Sequence, residues 1–370
     1  MIKGIDTIII DIYLSLYKSI SKKSRNVVAI SQYSSLDVDG DEAVSMIEKE
    51  YNPIDDKVNI YYHQFETTGV SDPYEPFLQF IVQQIKVQKI DVEELLQVCQ
   101  VLPVQRDMFR SYFRQGVFIR TEMLIYNEYK YELEAINNSI FLMLKYITKR
   151  KPTLFIFNKI QFAMDTTVNL LNRLVRAGYK EMGFLLSYDN TYDVAPYMKE
   201  DWKQFLNILK EYDLIIEWQN EYFDKDKYEV FCEDADKIPE YYKKLSNLKE
   251  TLSFRQAFYY IEKIHNIIIR EGENIDIRIK YGIYGLATVV SIYADKIANA
   301  VLFCNEIKLL ENSPGCTDEL KMKIDFFSNY LLAYTQMYNE HEADANISAK
   351  RSIEIAKKMG DDKQYLLLNL

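Results

Sequence analysis

The sequence predicts an α/β parallel-sheet domain followed by an all-α helical domain, and three observations carry this. Up to about residue 220, short apolar runs rich in β-branched residues alternate with stretches of helical spacing. Each of those runs is apolar throughout, as strands buried on both faces of a parallel sheet are. From about residue 235 the strand-like runs stop, and long helical patterns with few Pro or Gly take over. A chain of 370 residues has room for two or three domains of roughly 100 to 200 residues. The expected boundaries are an α/β domain over 1–220, a linker over 221–250 and a helical domain over 251–370.

At the start of the chain, residues 5–20 (IDTIIIDIYLSLYKSI) keep apolar positions at helical spacing and end in polar Ser21, Lys22, Lys23 and Ser24, which predicts an opening helix and a turn. Asn26 to Ser31 (NVVAIS) reads as a strand, followed by the polar loop SQYSSLDVDGDE and the helical stretch AVSMIEKEY. Val58 to Phe65 is a second strand. A turn around Gly69 to Pro73 leads to Pro76, which can start the helix FLQFIVQQI. Helical material continues to about residue 147. Pro152 then opens the most apolar strand, TLFIF (153–157), and helix returns over 164–177. Residues 183–188 (GFLLSY) read as a strand, a helix lies near 202–212, and LIIEW (214–218) is the last strand. In the second half, 253–270, 277–300 and 320–338 show apolar residues three and four apart.

Composition excludes several functions. Hydrophobic residues make up 48% and charged residues 27%, a packed rather than a disordered chain. With 45 Lys+Arg against 55 Asp+Glu the net charge is −10, so a phosphate backbone would be repelled and no direct nucleic-acid partner is expected. The clusters Lys22, Lys23, Arg25 and Lys149, Arg150, Lys151 read as solvated helix ends. Cys99, Cys232, Cys304 and Cys316 form no metal spacing and suit a reducing cytosol. No apolar run reaches the roughly 20 residues needed to cross a bilayer, and Asp6 and Asp11 interrupt the N-terminal apolar stretch where a signal peptide would need it intact. A soluble, cytoplasmic protein without a membrane partner is expected. The 30 Tyr and 19 Phe lack the interleaved basic residues of a base-stacking surface and are assigned to packing.

Chemistry would sit in the loop after the first strand, where GxxxxGK[ST] would cradle phosphates. Aligned on Gly40, the octet 35–42 keeps the second glycine but has Ser35 at the first, Asp41 at the lysine and Glu42 at the hydroxyl residue. Asp37, Asp39, Asp41 and Glu42 would repel a triphosphate. Their alternation also suits a calcium loop, but the preceding helix and the distant bidentate Glu are missing, so a solvated loop is expected. His63, His265 and His341 are scattered and fit no HExxH, GxSxG or Cys/His pattern. Glu93–Glu94 and Asp361–Asp362 lack the opposed placement of glycosidase carboxylates.

Segment 61–81 (YYHQFETTGVSDPYEPFLQFI) resembles the stretch of STAND and AAA-type P-loop ATPases in which a strand runs through a Pro-Tyr-x-Pro-Phe turn into a helix. Segment 153–174 resembles their Walker B region, with Asn158 and Lys159 at the two acidic positions, and 185–190 resembles the sensor segment, with Asp189 in place of arginine. The resemblance implies an α/β P-loop-NTPase-like domain, and the replacements imply lost hydrolysis, because a neutral amide and an ammonium do not supply the negative charge with which the acidic pair holds Mg²⁺. The stretch 348–370 is similar to the second helix of a TPR unit, a turn at 360–362 and the start of the next. Together the resemblances imply a non-catalytic pseudo-ATPase without a cofactor, whose TPR-like helices bind a protein or peptide in signalling or transcription control. A vestigial nucleotide site would comprise Ser35, Gly40, Asp41, Glu42, Asn158, Lys159 and Asp189. Relatives of the maltose-activator type couple ligand sensing to an output, but no helix-turn-helix is recognisable here. The alternatives are a nucleotide-binding switch or ATPase with atypical Walker motifs, and an enzyme on an unrelated α/β scaffold.

Overall fold

The computed structural model describes residues 27–31, 58–66, 69–120, 129–189, 192–217, 231–338 and 341–359. The chain divides into two compact units, Met1–Phe231 and Cys232–Leu370.

The first unit is built on a five-stranded sheet in the order β2-β3-β4-β1-β5, every pairing parallel. The strands are β1 (Val27–Ser31), β2 (Asn59–Gln64), β3 (Thr153–Asn158), β4 (Met182–Tyr188) and β5 (Ile215–Glu217). All positions of β3 and β4 are buried, which is why their sequences run apolar instead of alternating. Helices α1 (Phe77–Val87), α2 (Val92–Val98), α3 (Pro103–Gln115) and α4 (Tyr129–Arg150) lie between β2 and β3. Helix α5 (Asp165–Ala177) joins β3 to β4, and α6 (Lys199–Glu211) joins β4 to β5.

Phenylalanines fasten α1 to the sheet: Phe80 lies 4.9 Å from Phe155, which stacks on Phe184 at 5.2 Å. The turn before α1 is pinned to α5. Thr166 Oγ1 accepts from the Tyr74 N–H at 3.2 Å, and Thr167 Oγ1 donates to the Glu75 carbonyl at 2.5 Å. The Pro-Tyr-x-Pro-Phe segment is therefore a docking turn, and Pro76 caps α1 while the helix itself begins at Phe77.

The second unit is helical throughout its described residues: α7 (Ile238–Glu250), α8 (Phe254–Glu271), α9 (Ile277–Tyr293), α10 (Ile297–Leu309), α11 (Asp318–Tyr338) and α12 (Glu342–Met359). Each packs on the next, and α9 also packs on both α7 and α11. Two expectations change here. Residues 238–250, expected within the linker, are helix α7, whose Leu245 and Leu248 are fully buried. The helix expected over 277–300 is two helices, because Asp295 takes a left-handed conformation (φ 60°) and turns the chain. The backbone satisfies that turn itself, the Lys296 N–H donating to the Ser291 carbonyl at 2.8 Å. The odd-numbered helices begin at Ile238, Ile277 and Asp318, a spacing longer than the roughly 34 residues of a TPR unit. The expected opening helix, the helix after β1 and the segment 360–370 lie outside the described residues.

Candidate functional site

The strand order contains a reversal. From β1 the chain goes to β2 at one edge, whereas from β4 it goes to β5 at the other, yet β1 and β4 are neighbours. In open parallel sheets, ligands sit beyond the carboxyl ends of strands at such a reversal. Here β1, β3 and β4 end at Ser31, Asn158 and Tyr188.

A relay of hydrogen bonds ties the ends of β2, β3 and β4 together. The Lys159 N–H donates to Ser187 Oγ at 3.4 Å, and that hydroxyl donates to Asn158 Oδ1 at 3.0 Å. Asn158 Nδ2 donates to the Tyr62 hydroxyl at 3.0 Å, which reaches Gln64 Oε1 at 3.4 Å. One buried amide, 2% exposed, thus bridges three strands by using both its donor and its acceptor. A second link lies beside it, where Gln161 Oε1 accepts from the Asp189 N–H at 3.2 Å. Gln161 and Asp189 are each 1% exposed. Lys159 turns the chain out of β3 in a left-handed conformation (φ 57°) and opens the short 3₁₀ turn Ile160–Phe162.

Of the residues singled out in the sequence, Asn158, Lys159 and Asp189 come together at this edge; Ser35, Gly40, Asp41 and Glu42 lie outside the described residues. Tyr62, Gln161 and Ser187 are site residues that sequence reasoning missed. Ser187 left a signal, as the polar residue inside the apolar strand MGFLLSY, but nothing local marks Tyr62. Among the described residues no cluster of three His, Cys, Asp or Glu side chains could hold a metal. Burial drives His63 on β2 down to about 4, so it stays neutral with its ring 4.7 Å from that of Phe65.

The helical unit carries a hollow of about 360 Å³ walled by α7, α9 and α11, near Tyr242, Tyr281 and Phe327. Among the described residues no helix is long and apolar enough to cross a membrane. No protein-family model matches the chain, and no curated protein matches it significantly.

Proposed function

We propose that this chain is a non-catalytic regulatory or scaffold protein: a STAND-like pseudo-ATPase unit joined to TPR-like helices that bind a protein or peptide partner. The observation that carries the reading is the engagement of Asn158. An ATPase of this kind keeps a free acidic pair at the end of an apolar strand, facing the crevice, where it holds Mg²⁺ and orients water. In this chain the corresponding amide is occupied on both sides by Tyr62 and Ser187, and the next position is a lysine. A side chain that ties three strands together is fit for holding the frame and unfit for metal chemistry. The strand reversal beside it supports the frame, and the pinned turn before α1 supports the alignment of segment 61–81.

Isothermal titration of the full chain with ATP and ADP, each with Mg²⁺, tests this. No binding heat is expected up to millimolar nucleotide. Micromolar binding that weakens in Asn158→Ala would overturn the reading in favour of a nucleotide switch.

A further inference from the structure

We propose that the hollow on α7, α9 and α11 receives an aromatic side chain of an acidic peptide; this rests on the reading of the helical unit as a peptide binder. The first observation is the floor. Gly282 and Gly285 lie on α9, three residues apart and therefore on one face. A Cβ at Gly282 would come within 2.7 Å of the Tyr242 hydroxyl oxygen, and one at Gly285 within 2.4 Å of Phe327 Cε1. At either distance a ring would have to shift, so the two rings from α7 and α11 rest on bare backbone of α9. The hollow they frame, about 360 Å³, is at the small end of the roughly 300 to 1,000 Å³ range of ligand pockets. It has room for a large side chain.

The walls choose the side chain. Tyr281 and Phe327 meet at 5.6 Å in a tilted arrangement, and Leu286 and Val289 complete an apolar lining. An incoming ring can present its edge to these faces, the geometry aromatic pairs prefer.

The charges choose the flanks. Lys249 and Lys323 border the hollow and, among the described residues, no carboxylate lines it, in a chain that carries 55 acidic against 45 basic residues. Each lysine has a carboxylate outside the lining: Lys249 with Glu250 at 2.5 Å and Lys323 with Glu319 at 2.6 Å. The Lys323–Glu319 pair is exposed on both sides and weak enough to be exchanged for a carboxylate of the ligand, whereas Glu250, with a side chain only 12% exposed, keeps Lys249 in place beside the hollow. Alternate helices of the array extend the surface beyond a single side chain, so a peptide gains contacts that a lone aromatic acid lacks.

The test is fluorescence anisotropy of the full chain with fluorescein-labelled nonapeptides that carry a central Trp flanked by Asp, a central Trp flanked by Lys, or a central Ala flanked by Asp. The Asp-flanked Trp peptide is expected to bind at least tenfold more tightly than either control. Lys323→Glu, a surface change that leaves the helices intact by circular dichroism, should abolish that preference. Equal binding of the two charge patterns, binding unaffected by Lys323→Glu, or no binding of any peptide would each overturn the proposal. Nucleotide binding by titration, in contrast, would sink the pseudo-ATPase reading and leave this result standing.

Discussion

At Asn158 a single amide ties three strands by donating and accepting at once, so the Tyr62 hydroxyl accepts from it while donating to Gln64. An ionised carboxylate only accepts, so it could make the same tie only if Tyr62 turned its hydrogen from Gln64 to the carboxylate. The sequence reveals this position because a long apolar strand ending in two polar residues is a pattern in one segment; its partners come from β2 and β4, and their convergence is a product of the fold. His63 is the complementary case of a side chain whose environment is written nowhere near it. Its ordinary value of 6.5 falls to about 4 because burial disfavours the charged ring. A base depressed in the fold binds fewer protons there than in the unfolded chain. Its contribution is therefore complete above pH 6.5 and is lost as the pH falls toward 4. Chemical denaturation at pH 7 and pH 4.5 should show His63→Phe losing less stability than the parent chain by about 2 to 3 kcal/mol. An equal loss in both proteins would mean that His63 is solvated.

At the scale of elements, strands are more legible than helix ends. The runs at 26–31, 58–65, 153–157, 183–188 and 214–218 become β1 to β5 because each is short, and the central ones at 153–157 and 183–188 are the most apolar; β2 at the sheet's edge carries Asn59, His63 and Gln64. Helix ends are hidden for a specific reason. Several helices stop in a left-handed residue that is not glycine: Lys89 after α1, Gln100 after α2, Asp213 after α6, Leu252 after α7 and Asp295 after α9. Each turn is closed by a backbone bond reaching five residues back, such as Ile90 N–H to the Ile85 carbonyl at 3.0 Å. The signal usually read as a helix stop, a glycine, is absent, so 277–300 looks continuous in sequence. A Cβ in this conformation costs about 1 kcal/mol or more, and Asp tolerates it better than Lys. Replacing exposed Lys89 by Gly should therefore stabilise the chain by about 0.5 to 1 kcal/mol and Asp295→Gly by less, as read by denaturant midpoints. Destabilisation by both would show that their side chains make contacts outweighing the strain.

At the scale of the molecule, each unit has a hydrophobic core of its own: Phe155, Phe157 and Phe184 in the first, Phe303, Ile307 and Leu331 in the second. The division is legible as a change of period, from strands alternating with helices to helices alone, but its position is not. Helix α7 carries many charged residues, and its apolar face shows only where Ile238, Tyr241, Leu245 and Leu248 come together on one side. Two cores give the functional readings separate thermodynamic signatures. A ligand stabilises the unit that binds it by RT ln(1 + [L]/Kd), about 2.7 kcal/mol at a hundredfold excess over Kd. Calorimetry of the full chain should resolve two transitions, assigned by Phe155→Ala, which lowers the one from the sheet unit, and Phe303→Ala, which lowers the one from the helices. Millimolar ATP with Mg²⁺ should leave both in place, whereas the Asp-flanked Trp peptide should raise the helical transition alone. A rise of the sheet transition with ATP would instead place a working nucleotide site at the crevice beside Asn158 and Lys159.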